Sequence, residues 1–386
     1  MKIKKMLSVL ICTAVASFIG TALNINIVQA AAEDKESIER LIKAEHPNMI
    51  VDGKFTGENG KKIKGICMYK TVGAAIGAVV KENQKPVKIL VRSGTYRERL
   101  KITKPDIILI GENAETTQIV FNDAEGTVVR SEDGGDGKKM YRMDCASVTV
   151  EDTATGFTAI NITFNNDFDE AANMQTMDSR QAFAMKNEAD RSTFVHCRFL
   201  GNQDTLFANK NRQYYYQCYI EGDIDFIFGA ATAVYEKCEI KSLDREGDTK
   251  GYITAPSTLI PDKGYLFLDC KLISNITKEG SVKLGRPWHP SSEERPVNSS
   301  AVFKNCEMGA HIAEIGWDHM MNKYGDHFPE DNNLFEYGST GPGALTSTNR
   351  RTLTNEQAKE CTPKTYLGDW DIDSMAKKLL KAKAYY

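Results

Sequence analysis

A short pattern recurs through the middle of the chain: an aromatic residue, two further residues, a cysteine, one residue and then an apolar residue. Its five copies are centred on Cys197, Cys218, Cys238, Cys270 and Cys306. A looser copy is centred on Ile162, and successive centres lie 35, 21, 20, 32 and 36 residues apart. Such a period is typical of a solenoid, because each unit buries its apolar face only by stacking on its neighbours.

The segments around this repeat are short, rich in β-branched and aromatic residues, and separated by Gly, Asn and Asp, which predicts strands. Examples are 87–91, 107–110 and 147–150. Helices are predicted at 71–82, 354–360 and 374–383. Helices near both ends would cap a solenoid, whose terminal coils otherwise expose apolar core and strand edges. The sequence therefore predicts an all-β solenoid with short capping helices, and an ordinary β-sandwich is the alternative.

The repeated cysteines are predicted to form a ladder if the coils stack in register. Neighbouring strands lie about 4.8 Å apart, a separation within the range of Cα distances that a disulfide bridges. At most one pair among Cys197, Cys218 and Cys238 could then be oxidised. Free thiols that act as small apolar residues in a buried stack are the alternative.

The first thirty residues differ from the rest of the chain. Three lysines among the first five residues precede an apolar run at 6–23, and Val28-Gln29-Ala30 provides small residues for cleavage. This pattern predicts a secretory signal peptide at 1–30, followed by one domain at 31–386. An uncleaved membrane anchor is the alternative. No later stretch approaches the length of apolar sequence that spans a membrane.

Charge and histidine content narrow the function classes. The formal net charge is −3, and removal of the three leader lysines makes it −6. Without a basic run, a role in nucleic-acid binding has little support. The six histidines form no HxxxH or HExxH motif. The chain contains no CxxC pair, which disfavours a zinc site. The chain also lacks GxSxG, so a serine hydrolase is poorly supported.

Two aspartates occupy matching positions in consecutive copies of the repeat. Asp204 and Asp225 lie 21 residues apart, the same offset that separates Cys197 from Cys218. Equal offsets predict that the two carboxyl groups lie side by side on neighbouring coils. Two adjacent carboxyl groups do not both ionise easily, so one is driven towards its protonated form. A charged nucleophile or base beside a neutral acid is a common arrangement for hydrolysis.

Five segments occur in one order along the chain: GTYRE at 94–98, QAFA at 181–184, GNQDTL at 201–206, DFIFG at 225–229 and LGRPW at 284–288. With these segments the chain resembles the pectin methylesterases (pectinesterases, carbohydrate esterase family 8) over roughly residues 55–370. The resemblance implies a single-stranded, right-handed parallel β-helix with a long cleft. It implies hydrolysis of galacturonate methyl esters in pectin (homogalacturonan), with release of methanol, by a secreted monomer that needs no metal or organic cofactor.

The resemblance also implies a role for each of five polar residues. Asp225 matches the nucleophile, and Arg286 matches the arginine that orients it, because a guanidinium fork fits a carboxylate bidentately. Asp204 matches the general acid, which later serves as the base that activates water. Gln181 and Gln203 match the amides that donate to the oxyanion of the tetrahedral intermediate.

Three aromatic residues are expected to contact the sugar chain. Trp288 matches the indole that packs against a sugar ring, while Phe207 and Phe228 lie next to the two aspartates in sequence. Phe207 stands where relatives often have tyrosine, so a hydroxyl contact is absent here. The segment 94–98 is interpreted mainly as structural support after the strand at 87–91.

Other functions remain open at the level of sequence. A polysaccharide lyase on the same fold would abstract a proton next to the uronate carboxylate, usually with bound calcium. An esterase or thioesterase for another substrate could use the same pair of aspartates. A binding protein without turnover is disfavoured because all five polar residues of the expected site are present.

Overall fold

The computed structural model describes residues 39–40, 42–80, 85–128, 137–173, 176–177, 179–246 and 250–372. The predicted leader at 1–30 and the predicted helix at 374–383 lie outside the described residues. One compact unit begins at Pro47 and contains every strand and helix named below. The described residues before it include a helical turn at 42–45.

The first sheet contains twelve strands and runs the length of the unit. Its strands are β1 (Met49–Val51), β2 (Lys62–Ile63), β3 (Ile66–Tyr69), β4 (Val87–Val91), β7 (Ile107–Gly111), β10 (Thr158–Ile160), β13 (Ser192–Val195), β16 (Arg212–Tyr216), β19 (Thr232–Glu236), β22 (Tyr265–Leu268), β25 (Ser300–Lys304) and β29 (Asn333–Tyr337). They lie in the order β2-β3-β1-β4-β7-β10-β13-β16-β19-β22-β25-β29. Neighbours are parallel except at β2–β3.

Two further sheets consist entirely of parallel pairs. The second sheet contains β5 (Gly94–Arg97), β8 (Thr117–Phe121), β11 (Thr163–Asn166), β14 (Arg198–Leu200), β17 (Tyr219–Gly222), β20 (Glu239–Ser242), β23 (Lys271–Ser274) and β26 (Glu307–Met308). The third contains β6 (Leu100–Ile102), β9 (Val148–Val150), β12 (Met185–Asn187), β15 (Leu206–Ala208), β18 (Ile224–Gly229), β21 (Gly251–Pro256) and β24 (Val282–Gly285). A separate antiparallel hairpin joins β27 (Met320–Asn322) to β28 (Gly325–His327).

The order of these strands confirms the predicted solenoid. From β4 to β26, successive strands enter the first, second and third sheets in turn, and each strand up to β23 pairs with the strand three places further along the chain. The hairpin of β27 and β28 then intervenes, and β25 pairs with β29. This is a parallel β-helix, in which every coil contributes one strand to each sheet. A sandwich of antiparallel sheets is excluded by the parallel pairing.

The repeated aromatic residues stack inside the helix. Phe194, Tyr215, Tyr235, Phe267 and Phe303 are directly paired in the first sheet. Their ring centroids follow one another at 4.3–4.8 Å, close to the spacing of neighbouring strands. All five rings are buried. Register is therefore fixed by large side chains that fit only when the coils align.

The cysteines of the repeat also form a buried ladder, and the described cysteines are all free thiols. Each thiol donates a weak hydrogen bond to a carbonyl of the preceding coil. Cys218 donates to Phe194 over 3.4 Å, and Cys238 donates to Tyr215 over the same distance. The structure thus favours the alternative in which these residues pack as small apolar groups.

One residue in the left-handed region turns the chain from the first sheet into the second. It directly precedes the centre of each copy of the repeat, with φ between 50° and 54°: Asn161, His196, Gln217, Lys237, Asp269 and Asn305. A single left-handed residue reverses the local curvature without lengthening the coil. This turn explains why the pattern keeps its spacing around the cysteine while the other loops vary in length.

In the described part of the compact unit, four short α-helices accompany the coils: α1 (Val72–Ala78), α2 (Glu170–Asn173), α3 (Asn355–Glu360) and α4 (Pro363–Leu367). Two 3₁₀ turns are also present in the described residues, at Arg142–Asp144 and at Pro329–Asp331. Helix α1 is capped by Thr71, whose side chain accepts from the Ala74 amide. After the last coil, α4 packs beside β19, so the C-terminal segment runs back along the first sheet.

The segment 94–98 has the supporting role predicted for it. The carboxylate of Glu98 accepts hydrogen bonds from the Val72 and Gly73 amides, each over 2.8 Å. A carboxylate at a helix N-terminus satisfies donors that lack partners within the helix. Tyr96 donates to the Arg92 carbonyl over 2.9 Å. The segment therefore holds α1 against the first coils.

Candidate active site

A cavity of about 150 Å³ lies beside the third sheet. It is lined by Arg142, Gln181, Gln203, Asp204, Asp225, Phe228, Ala255, Arg286, Trp288 and Met320. Seven of the eight residues singled out from the sequence line this cavity, although they come from positions more than a hundred residues apart. Phe207 is the eighth, and it does not line the cavity.

Asp225 occupies an irregular position in β18. The pairing of β18 with β21 joins Ile224 to Tyr252 but Ile227 to Thr254, so β18 carries one extra residue between these pairs. Asp225 lies in this bulge with φ of 51°. A β-bulge redirects a side chain that would otherwise follow the alternation of the strand. The strained backbone at Asp225 is therefore part of how its carboxylate reaches the cavity.

Arg286 holds Asp225 through both carboxylate oxygens. Its Nε donates to Oδ1 over 3.0 Å and its Nη2 donates to Oδ2 over 2.6 Å. Burial alone would lower the pKa of Arg286, but the charge and hydrogen bonds of Asp225 outweigh that effect and raise it. The preceding Gly285 is required because a Cβ there would lie 2.3 Å from the Thr254 carbonyl oxygen. The glycine lets β24 approach β21 closely.

The ring of Tyr252 supports the guanidinium of Arg286, a role that the sequence analysis did not predict. The guanidinium carbon of Arg286 lies 4.1 Å from the centroid of the Tyr252 ring. The Tyr252 hydroxyl donates to Asp318 over 3.1 Å, and Lys283 pairs with the same carboxylate over 3.2 Å. Cation–π contact and this polar anchor restrict the guanidinium to one orientation. Tyr252 follows Gly251 at the start of β21, a signal too common to identify it from one sequence.

Asp204 differs sharply from Asp225 in its surroundings. It is 7% exposed, and its carboxyl group makes no hydrogen bond or ion pair with any described residue. Its backbone amide donates to the Ile224 carbonyl over 3.0 Å, and its φ is 66°. Burial raises the pKa of Asp204 well above its ordinary value, and the charge of Asp225 raises it further. The cavity thus contains a carboxyl group that is driven towards its neutral form and a carboxylate that is paired with an arginine.

Gln181 and Gln203 lie on neighbouring coils beside this pair. The Ala182 amide donates to the Gln203 carbonyl over 3.3 Å, which fixes the two backbones relative to each other. The Gln181 carbonyl accepts from the Glu125 amide over 2.9 Å. Neither side-chain amide has a partner among the residues that the structure describes, and Oε1 of Gln181 is buried. Both amides are therefore available to a substrate oxygen.

An aromatic wall closes one side of the cavity. The rings of Phe207 and Phe228 stack at 4.4 Å with an angle of 3° between them. Trp288 is tilted against both, with its centroid 5.7 Å from Phe228. Phe207 does not line the cavity and stacks on Phe228, so the structure gives it a supporting position, and its contact with a sugar stays a prediction. Trp288 and Phe228 line the cavity itself.

Three cavity residues were missed by the sequence analysis: Arg142, Ala255 and Met320. They belong to the 3₁₀ turn, to β21 and to the hairpin strand β27, none of which carries the repeat. Within the described parts of the chain, no group of three or more His, Cys, Asp or Glu side chains is arranged to hold a metal ion. Among the described helices, none has the length and apolarity needed to cross a bilayer.

Comparison with known proteins agrees with the geometry. The Pectinesterase family model matches residues 62–369. Pectinesterase A of Dickeya chrysanthemi is 37% identical over 330 residues, which cover 78% of this chain and 87% of that protein. Pectinesterase A of Emericella nidulans is 32% identical, with 80% and 86% covered. A solved pectin methylesterase in complex with a hexasaccharide has a TM-score of 0.75 and 34% identity, with 84% of this chain and 98% of the other covered.

Proposed function

The chain belongs to the pectinesterase family, and we propose that it hydrolyses the methyl esters of galacturonate units in pectin to pectate and methanol. The observation that carries this proposal is the pairing of unlike carboxyl groups. Asp225 is held by Arg286 through two hydrogen bonds, while the nearby Asp204 is buried without a partner among the described residues. One group suits nucleophilic attack, and the other suits proton donation.

In the first half of the proposed reaction, a carboxylate oxygen of Asp225 attacks the ester carbonyl carbon. The C–O π electrons move to the carbonyl oxygen, and the resulting oxyanion accepts hydrogen bonds from the amides of Gln181 and Gln203. Donors that are fixed before the reaction stabilise developing charge without reorganisation. The fork of Arg286 keeps the attacking carboxylate aimed at the carbon.

Collapse of the intermediate expels the methoxy group. Asp204 transfers its proton to that oxygen, so that methanol leaves and an acyl-enzyme anhydride forms on Asp225. Asp204 is then a carboxylate, and it accepts a proton from water as the water attacks the acyl carbon. The anhydride bond to Asp225 breaks, which restores both aspartates to their starting states and releases the galacturonic acid unit.

The sugar chain is proposed to lie along the cavity wall that contains Trp288 and Phe228. Aromatic faces pack well against the apolar faces of sugar rings because both surfaces exclude water on contact. The solved pectin methylesterase with a bound hexasaccharide supports an extended binding site in this family. Residues 1–30 are proposed to direct secretion, and the remaining single domain would act on cell-wall pectin outside the cell.

The test is methanol release from highly methylated pectin, with ultraviolet absorbance followed for unsaturated sugars in the same sample. We expect methanol without unsaturated product, and we expect Asp225→Ala and Asp204→Ala to abolish it while the fold is retained. Asp152→Ala, at an exposed position, is the matched control and should behave as the wild type. Unsaturated product without methanol would identify a lyase instead, and near-normal activity in either site variant would contradict the mechanism.

A further inference from the structure

Arg142 stands where the catalytic cavity opens into a larger groove. The groove has a volume of about 400 Å³ and shares Arg142, Trp288 and Met320 with the cavity. The remaining groove residues come from the 3₁₀ turn, from the segment after Trp288 and from the β27–β28 hairpin: Tyr141, Met143, His289, Pro290, Ser291, Ser292, Met321, Asn322 and His327. A polymer that enters the cavity with one sugar would place a neighbouring sugar in this groove.

The guanidinium of Arg142 makes no hydrogen bond or ion pair with the described chain, although its positive charge opposes the rise in the pKa of Asp204 that burial and Asp225 cause. Its Nε is buried and makes no hydrogen bond, and no ion pair involves this side chain. Arg286 is the other arginine of the cavity, and its charge is matched by Asp225. A partly buried cation without a counterion is costly unless a ligand supplies the charge.

The position of Arg142 is fixed by a buried neighbour. Its carbonyl accepts from the Cys145 thiol over 2.9 Å and from the Cys145 amide over 3.4 Å. Cys145 is fully buried in the small apolar cluster that also contains Phe207 and Phe228. The 3₁₀ turn therefore anchors Arg142 to the wall of the cavity, although its side chain is not tied to another side chain.

The groove suits an anionic sugar. None of the described residues that line it is acidic, and Arg142 is its only arginine or lysine. Burial lowers the pKa of His289, which favours its neutral form at neutral pH. Hydroxyl, amide and imidazole groups from Ser291, Asn322 and His327 are typical partners for sugar hydroxyls, and Trp288 supplies an aromatic face.

We propose that Arg142 binds the free carboxylate of a galacturonate unit next to the ester that is cleaved, so that it sets the preference for partly de-esterified pectin. This inference rests on the proposed function. A methyl ester in the same place could accept a hydrogen bond but would leave the arginine without a counterion. Charge-assisted hydrogen bonds are stronger than neutral ones, so Arg142 would bind a free galacturonate neighbour more tightly than a methylated one. Arg142 is a specificity residue here and takes no part in bond breaking.

The experiment compares two substrates made from one pectin, which is used either highly methylated or partly de-esterified with alkali. Arg142→Gln is expected to lower kcat/KM on the partly de-esterified pectin by about tenfold or more, mainly through KM, with little change on the highly methylated pectin. Arg142→Lys should recover part of the loss because it retains the charge. Arg198→Gln removes the same charge from β14 in the second sheet, and it should not alter the ratio between the substrates.

A second measurement reads binding directly. Galacturonate oligomers in the free-acid form are titrated into the Asp225→Asn protein with and without Arg142→Gln, and fully methylated oligomers serve as the comparison. The proposal expects affinity for the free acid to fall about tenfold or more and affinity for the methylated oligomer to be retained. Equal losses for both oligomers, or no loss for the acid, would overturn it.

The two proposals fail in different ways. If the wild type releases no methanol from either pectin, the proposed esterase function is wrong, and the titration with free-acid oligomers still decides whether Arg142 binds a uronate. If methanol is released and Arg142→Gln leaves the ratio of the two pectins unchanged, the esterase function stands and the role of Arg142 is rejected.

Discussion

Arg286 and Asp225 are joined by two parallel hydrogen bonds, from Nε to Oδ1 over 3.0 Å and from Nη2 to Oδ2 over 2.6 Å. Asp225 lies in β18 and Arg286 directly follows β24, and these two strands are separated in the third sheet by β21. The pair therefore spans three successive coils and fixes the carboxylate relative to the sheet. Asp204 lies one coil earlier than Asp225 and has no equivalent partner among the residues described here.

Arg286→Lys is expected to lower kcat by about a hundredfold, because an ammonium cannot hold both oxygens and a small misplacement of a reacting group has an effect of this size. Methanol release from a methylated galacturonate oligomer measures the loss. Arg198→Lys makes the same exchange in the second sheet and should retain wild-type turnover. Wild-type kcat in Arg286→Lys would show that bidentate pairing is not needed for the reaction.

Tyr252→Ala is expected to lower kcat by about tenfold, since it removes a cation–π contact worth about 0.5–2 kcal/mol and leaves Arg286 less ordered. Tyr252→Phe keeps the ring under the guanidinium and loses only the hydrogen bond to Asp318, so it should recover most of the activity. Measured kcat and KM separate these effects, because a positioning role changes kcat more than KM. If Phe and Ala variants lose the same activity, the hydroxyl rather than the ring is responsible.

The sequence predicted much of the scaffold because the repeat records the contacts that hold it together. The aromatic and apolar residues of the repeat became directly paired positions in the first and second sheets, as the registers of Phe194 with Tyr215 and of Phe199 with Ile220 show. The offset shared by Asp204 and Asp225 also corresponds to neighbouring coils, since Phe207 pairs with Phe228. In a solenoid each coil contacts only its neighbours, so residues that are one repeat apart in sequence lie next to each other in space.

The residues that escaped prediction belong to segments without that periodicity. Arg142 lies in a 3₁₀ turn and Met320 in a hairpin outside the coils, so no offset relates them to the aspartates. Tyr252 acts through a ring contact that a single sequence does not encode. The extra residue in β18 could not be predicted from the sequence either, because it changes the pairing register by one position within a run of apolar residues.

Gln203→Ala is expected to lower kcat by about 10²–10³-fold with KM little changed, because the amide is proposed to donate only to the charge that develops in the transition state. Gln181→Ala should have an effect of the same order if the two amides share the oxyanion. Asn202→Ala, which changes the preceding residue, is the local control and should retain most of the activity. A rise in KM without a fall in kcat would mean that Gln203 binds the ground state instead.

Asp204→Asn is expected to stabilise the folded protein by roughly 1 kcal/mol at neutral pH, while it abolishes turnover. Burial and the charge of Asp225 raise the pKa of Asp204, so the folded protein binds the proton of this carboxyl group more tightly than the unfolded chain does. Ionisation of Asp204 therefore destabilises the folded state, and an asparagine, which does not ionise, avoids this effect. In the wild type, stability then falls as pH rises from about 3.9, the pKa of an unfolded aspartate, through the higher folded value. Above that value the penalty is complete, and below pH 3.9 both states are protonated and it vanishes.

Thermal unfolding of the wild type and of Asp204→Asn across this pH range measures the difference. The two proteins should have nearly equal stability at the acid end, and the variant should gain an advantage as pH increases. Asp152→Asn exchanges an exposed aspartate in the same way, and it should follow the wild type throughout. A variant that shows no gain at neutral pH, or the same gain at every pH, would mean that Asp204 is not held in its neutral form by burial and by the charge of Asp225.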